Sequence, residues 1–293
     1  MPYTFIEKNK RNTGILVFLF TALIMGLAYV FAMAMEDISI VVIAFVVVVI
    51  FNLISFYQGD KIILAANGAK EIKKADAPEL YRTVENMAIT AGLPTPKVYI
   101  IAHDSPNAFA TGRSPETASV TVTTGLLNLL NKQELEGVIA HELSHIKNYD
   151  IRLTMMVIML LGIVVLMSDL FLRIGLRMKS KKGDQAKIIF LVIAVVLAIL
   201  APIVAKIMQL AISRQREFLA DADSALLTRY PEGLAGALEK IKTADIPYPE
   251  ASKSSANLYI SNPYGQKSSW FKNLFATHPP IDERINRLRN FNF

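Results

Sequence analysis

The chain has no cysteine, and of its 293 residues only four are histidine and only 19% are charged. Without a thiol it can form no disulfide framework, thiolate nucleophile, iron–sulfur cluster or cysteine-type zinc finger. Any tightly held transition metal must therefore use nitrogen and oxygen donors, with imidazoles drawn from His103, His141, His145 and His278. Charge is scarce too, since soluble domains carry about 25%. With 53% hydrophobic residues and a mean hydropathy of +0.37, the composition places part of the chain in lipid.

The apolar surplus is concentrated in four runs. Thr13 to Met35 and Ile38 to Phe56 are separated only by Glu36 and Asp37, while Leu153 to Leu172 and Ile188 to Met208 bracket a polar loop. Each run is about 20 residues, which at a rise of about 1.5 Å per residue matches a hydrocarbon core of about 30 Å. The first run is too long for a signal-peptide core and no small-residue cleavage pattern follows it, so the first two runs are expected to form a retained membrane hairpin. The expected organisation is a hairpin over residues 1–57, a water-facing segment over 58–152, a second hairpin over 153–208 and a second water-facing segment over 209–293.

Lysine and arginine near the span ends orient this arrangement. With the N-terminus in the cytoplasm, Lys8, Lys10 and Arg11 lie inside and the acidic Glu36–Asp37 turn lies outside, as the positive-inside rule requires. One segment runs against the rule. The loop after the third run carries Arg173, Arg177, Lys179, Lys181, Lys182 and Lys187 against Asp184. A shallow or re-entrant second hairpin is the alternative that would reconcile those charges. The formal net charge of +6 is spread over membrane flanks and mixed-sign helices with no aromatic–basic module. It is read as contact with lipid headgroups, not nucleic acid.

The water-facing parts combine helix and strand. Asp76-Ala-Pro-Glu79 resembles a capping pattern, and Leu80, Val84, Met87 and Ala88 continue a helix that Gly92 stops. Val98 to Ile101 and Ala118 to Thr123 are short β-branched runs. Asn131-Lys-Gln-Glu134 opens a second helix through Leu135, Val138 and Ile139. Residues 243–269 are rich in Ser, Asn, Pro and Tyr and are expected to be irregular, and a last helix from Pro280 has Ile281, Ile285 and Leu288 on one face.

The second of these helices contains His141-Glu142-Leu143-Ser144-His145. Histidines four apart stand one above the other on a helical face, so both imidazoles can hold one ion while Glu142 handles the proton of a water beside it. Four His and fourteen Glu in this length give the spacing by chance roughly 0.003 times per chain. A bare surface histidine pair is the bland alternative, but Val138, Ile139 and Ala140 set this turn against a core, where unpartnered imidazoles are costly.

A catalytic zinc takes three protein ligands and keeps one position open. Where a third histidine would follow in a metzincin, this chain has Ile151, so a remote ligand must complete the site. His103 and His278 stay possible. The stronger candidate is the segment Arg214-Gln-Arg-Glu217-Phe-Leu-Ala-Asp221, where Glu217 and Asp221 stand one turn apart, although an amphipathic helix with Arg–Glu pairs would look similar. If the metal helix runs straight into the third span, His145 stands about 12 Å and Glu217 about 13 Å outside the lipid, at a common height.

Together, Asn107-Ala-Phe-Ala-Thr-Gly112, His-Glu-Leu-Ser-His, Arg216-Glu-Phe-Leu-Ala-Asp221 and Thr277-His-Pro-Pro280 make the chain resemble the HtpX-type membrane-bound zinc metalloproteases. These belong to the gluzincin group, which includes the prenyl-protein (CAAX) proteases, and the resemblance covers nearly the whole chain. It implies an α+β fold: a multi-pass helical membrane protein with a mainly helical, zincin-like domain carrying a small β-sheet. It further implies a bacterial cell-membrane endopeptidase of protein quality control, its site at the cytoplasmic face, cutting damaged membrane proteins under stress. Carried onto these positions, His141, His145 and Glu217 hold one Zn2+, Glu142 is the general base, and Asp221 accepts a hydrogen bond from a ligand histidine. His278 is a hydrogen-bond donor to the oxyanion, or else a helix-entry residue. Asn107 belongs to an edge strand that takes extended substrate, or else to a turn.

Two other function classes are weaker. A site-two-type intramembrane protease places the His pair within a span, whereas Asn131, Lys132, Gln133, Glu134 and Glu136 precede it here, and no Leu-Asp-Gly partner occurs. A silent scaffold would have lost Glu142 or Glu217. Nothing in the sequence signals an oligomeric state. Because the chain has no native cysteine, Ser180→Cys gives a single label site for the basic loop. Labelling from the external face is expected if the third and fourth runs cross, and labelling from the cytoplasm shows that they do not.

Overall fold

A computed structural model of the chain describes residues 2–177, 188, 191–193, 195–200, 214–248, 258–260 and 279–291. Two long helices come first, α1 (Pro2–Met35) and α2 (Ser39–Ala66). The chain reverses between them at Glu36, whose φ is 55°, and Asp37 Oδ1 accepts the Ser39 N–H at 2.9 Å to start the return. Within the pair, Asn52 Nδ2 donates to Thr21 Oγ1 at 3.1 Å, a polar clasp inside an apolar interface.

A third long helix, α6 (Asp150–Arg177), packs against both. It comes close to α2 at Gly59, where an added Cβ would stand 3.2 Å from the side chains of Met155 and Met159. These three helices are long and apolar enough to cross a membrane, over Ile6–Met33, Ser39–Ala66 and Asp150–Arg177. Phe18, Val30, Val42, Phe45 and Leu166 face outward and exposed, as side chains meeting lipid would. Asp169 is also exposed and pairs with Arg173 Nε at 2.7 Å, one turn away. Of the fourth apolar run, residues 188, 191–193 and 195–200 are helical. The rest of that run and the basic residues 178–187 lie outside the described residues.

The water-facing domain is built on a four-stranded sheet. Its strands are β1 (Lys70–Glu71), β2 (Lys97–Ile101), β3 (Ala108–Thr111) and β4 (Ser119–Thr123), in the order β1-β2-β4-β3. β2 and β4 are parallel and the outer pairs are antiparallel, so β3 is an edge. Helices α3 (Pro78–Ala91), α4 (Thr124–Leu129), α5 (Lys132–Lys147), α7 (Arg214–Thr228), α8 (Pro231–Ala244) and α9 (Ile281–Arg289) complete it. One core runs through Val84, Val98, Val120, Val122, Val138, Ile139, Leu234 and Leu238, joining the sheet to α3, α5 and α8. The result is a mainly helical α+β membrane protein with a small sheet.

Local chemistry explains most of the helix ends. The capping box that opens α5 is complete: Asn131 Oδ1 accepts from Glu134 N at 3.0 Å and Glu134 Oε2 accepts from Asn131 N at 2.8 Å. Gly92 ends α3 at φ 69°, in the left-handed region where a side chain is penalised. Two expectations are corrected. Asp76 does not cap α3, because its Oδ2 takes the Lys73 N–H at 2.7 Å and shapes the preceding turn instead. The metal-bearing helix does not run straight into the third span either. It ends at Lys147, Tyr149 adopts φ 59°, and α6 begins afresh at Asp150, so the chain makes an elbow there.

Helix α5 lies at the centre of the domain and touches α3, α7 and α8 as well as β3. Ser224 Oγ donates to Gly137 O at 2.7 Å, and an added Cβ at Gly137 would stand 2.6 Å from Leu234 N, a backbone atom that cannot step aside. Gly137→Ala is therefore expected to cost about 1–3 kcal/mol through overpacking, read from denaturant unfolding of the protein in detergent.

Candidate metal centre

The middle of α5 is buried on every side, with Val138, Ile139, Ala140, Leu143 and Ile146 packed into the core. His141 and His145 share the face that turns toward α7, and Glu217, in the first turn of α7, turns back toward them. Glu217 sits there because α7 is locked against α5 at further points: Ser144 Oγ donates to Asp223 Oδ2 at 2.6 Å, and the adjacent Ser224 bonds Gly137 about two turns earlier on α5.

The three side chains offer one donor atom each within 4.8 Å of one another. The two Nε2 atoms are 3.2 Å apart, His141 Nε2 is 3.7 Å from Glu217 Oε2, and His145 Nε2 is 3.6 Å from Glu217 Oε1. These separations suit three ligands of one ion, which takes imidazole nitrogen and carboxylate oxygen at about 2.0–2.2 Å. Glu142 follows His141 on α5 and is 2% exposed.

The far nitrogens of both imidazoles are held by carboxylates. His141 Nδ1 donates to Asp221 Oδ1 at 3.0 Å, and His145 Nδ1 donates to Asp150 Oδ2 at 3.0 Å. In the neutral rings, a proton held on each Nδ1 by its aspartate would turn each Nε2 lone pair toward the gap between the three side chains, which is the tautomer a metal needs. The donor set and its orientation therefore fit a divalent cation such as zinc.

Two arginines balance the carboxylates. Arg284 of α9 is wholly buried and grips Asp221 through Nε at 2.9 Å and Nη2 at 2.7 Å, while its Nη1 reaches Ile260 O at 3.3 Å. Arg216 of α7 donates from Nη1 to Asp150 Oδ1 at 2.8 Å. Burial raises the Asp221 carboxyl, but the Arg284 guanidinium outweighs it and holds the group well below the usual carboxylate range. Burial likewise raises Glu142, with Glu217 adding to the effect and the neighbouring imidazoles opposing it. For His145, burial favours the neutral ring, yet Glu217 and Asp150 prevail and raise it to about 9 in the metal-free site.

Of the residues singled out in the sequence, His141, Glu142, His145, Glu217 and Asp221 converge in this cluster. Asn107 lies at the start of β3, fully buried, with its N–H on Thr123 Oγ1 at 2.9 Å and its Oδ1 accepting the Ala108 N–H at 3.2 Å. His103 is not part of the cluster; its ring stacks on Tyr248 with centroids 4.0 Å apart, and its Nδ1 accepts the Ser105 N–H. His278 lies outside the described residues. Arg284 escaped the sequence argument, and Asp150 stood out there only by its position, with no role given to it. The signal for Arg284 was present: it occupies the apolar stripe of α9 between Ile281 and Ile285, where a charge needs a buried partner. For Asp150 no signal existed, because only the elbow at Tyr149 folds it back onto His145.

The profile of peptidase family M48 matches residues 74–292. A protease HtpX homologue of Dictyoglomus thermophilum is 45% identical over 293 residues, covering 98% of this chain and 95% of the relative. Another from Streptococcus gordonii is 43% identical over 297 residues, covering 99% of each. Among solved structures, S. mikatae Ste24p superposes with a TM-score of 0.52 at 20% identity, over 97% of this chain and 66% of that one. That last likeness concerns the fold.

The raised His145 gives the metal site a pH dependence with a definite sign. Its folded value of about 9 exceeds the ordinary 6.5, so the charged ring stabilises the metal-free fold fully below pH 6.5, and this is lost as pH rises through 9. A metal requires the neutral ring, so uptake between these values should release about one proton from this residue. Zinc affinity of the metal-stripped protein is expected to rise with pH and level off above 9, measured by calorimetry in buffers of differing ionisation enthalpy.

Proposed function

The chain belongs to peptidase family M48 and is an HtpX-like membrane metalloprotease, and on that premise we propose how its residues divide the work. The observation that carries the proposal is the convergence of His141, His145 and Glu217 beside the buried Glu142. His141, His145 and Glu217 hold one Zn2+, with Asp221 and Asp150 orienting the two imidazoles. When bound, zinc lowers the pKa of water toward about 7 and polarises a carbonyl.

Glu142 takes the proton of the attacking water and returns it to the leaving amine of the peptide bond. Its raised proton affinity suits that exchange, because a base poised closer to neutrality both accepts and releases at working pH. Burial of His141, Glu142 and Glu217 keeps competing water away from these proton transfers. His278 donates a hydrogen bond to the oxygen on which negative charge develops.

Substrate enters as an extended chain along β3. Among the described residues that strand has a sheet partner only on its β4 side, and it packs on α5, the helix that carries His141 and His145, so a peptide added to its outer edge would lie close to that helix. Asn107 lies at one end of that edge. The outer face of the strand already accepts one such bond, from Ile260 N to Ala108 O at 2.9 Å.

The substrates are misfolded or damaged membrane proteins, cut at the cytoplasmic face of a bacterial membrane in quality control. Support for the orientation comes from Lys8, Lys10 and Arg11, which precede the first apolar run at the N-terminal end of α1, together with Asn9, which is hydrogen-bonded to Asp150 beside His145. The positive end of the chain and the site therefore share a side. The two membrane hairpins divide the protease domain into segments 58–152 and 209–293, which meet at the metal.

Glu142→Gln is expected to keep about one zinc per chain and lose at least about 100-fold in cleavage of casein or a membrane-protein substrate. Glu217→Ala should lose both metal and activity. Zinc analysis beside proteolysis in detergent checks the pair, and full activity of Glu142→Gln would end this reading.

A further inference from the structure

The first membrane helix reaches into the metal site. Asn9, on α1, is 4% exposed although it lies between the exposed Lys8 and Lys10. Both of its amide protons and its amide oxygen are engaged. Nδ2 donates to Asp150 Oδ1 at 2.7 Å and to Asn148 O at 2.8 Å, and Oδ1 accepts from Arg216 Nη1 at 3.0 Å. One side chain thus joins the elbow after α5, the first residue of α6 and the first turn of α7.

The first turn of α7 carries Glu217, and the elbow directly follows the last turn of α5, which carries His145. Asp150 has one oxygen on His145 Nδ1 and the other held by Asn9 and Arg216 together. Two donors on Oδ1 fix the carboxylate plane, and that plane decides where Oδ2 meets the imidazole. Arg216 is the neighbour of Glu217 in the chain, so the Asn9 oxygen also steadies the turn that presents the third ligand. Lys10 adds a hold on the same corner, its ammonium 4.4 Å from the centre of the Tyr149 ring. Tyr149 is the positive-φ residue that forms the elbow.

We propose that Asn9 is a positioning residue of the metal site, acting through Asp150 and Arg216. Seating of the first span on the catalytic domain and occupancy of the metal site are then one coupled equilibrium. The proposal rests on His141, His145 and Glu217 binding zinc. It adds that a residue of the membrane anchor, remote in sequence and touching no ligand directly, sets how well they do so.

Partners behind metal ligands typically change affinity by about 10–100-fold, and one step further out the lower figure applies. In full-length protein in detergent, stripped of metal, Asn9→Ala should weaken zinc binding about tenfold in competition with a chelating indicator. It should also shift the visible absorption bands of the cobalt-substituted protein. Thr13→Val, which removes only a hydroxyl bonded to the Asn9 carbonyl on the same buried face, should change neither.

If Asn9→Ala melts earlier but matches wild type in zinc affinity and cobalt spectrum, Asn9 merely holds the span and the proposal fails. Coupling is reciprocal, so the wild-type protein supplies a second measurement should the variant not fold. Adding zinc should slow amide hydrogen exchange over residues 6–13 about tenfold, and exchange there that ignores zinc overturns the idea. A wild-type protein that binds no zinc would instead defeat the metal-site reading beneath it.

Discussion

Two imidazoles and a ring of carboxylates are buried together between α5 and α7, and the surrounding structure is arranged to make that burial tolerable. A buried charge survives only if it is paired and hydrogen-bonded. Arg284 and Arg216 provide the pairing, each set behind an aspartate that in turn holds one histidine. Taking either arginine away would leave a carboxylate uncompensated in the interior. The cluster therefore ties α9, the elbow before α6 and the first turn of α7 to the middle of α5.

The same arrangement explains why the protein is one body with its membrane helices. The elbow at Tyr149 is where the domain built on the sheet passes into a long apolar helix, and it is also where Asp150 turns back to His145. A continuous helix would carry Asp150 five residues beyond His145, more than one turn on and away from its face. Breaking the helix costs backbone hydrogen bonds and puts a tyrosine in left-handed geometry. The Asp150–His145, Asp150–Arg216 and Asn9 contacts offset that strain. Around them, the packing of α1, α2 and α6 holds the spans, with Gly59 letting α6 lie close.

Legibility in the sequence followed the range of the interactions. The His141-Glu142-x-x-His145 turn, the Asn131 capping box, the Gly92 stop, the apolar runs and the β2 and β4 strands all depend on residues within a few positions of one another, and local physics determines them. Asp76 shows how a local rule can be outcompeted even at short range, since the Lys73 N–H was nearer to its carboxylate than the helix start. Helix α8, which packs on Gly137, was not anticipated, although Pro231 stands at its first turn.

By itself the sequence limited the donor chemistry: with no thiol in the chain, any ligands had to offer nitrogen or oxygen, and one helical turn supplied two candidate imidazoles in register. Tertiary structure alone decided what stands behind those ligands. Asp150 reaches His145 because a single residue takes positive φ, Arg284 reaches Asp221 from 63 positions away, and Asn9 reaches Asp150 across 141. Spacing in the chain cannot encode such contacts, because they arise only when the core and the membrane helices pack and bring distant backbone into reach.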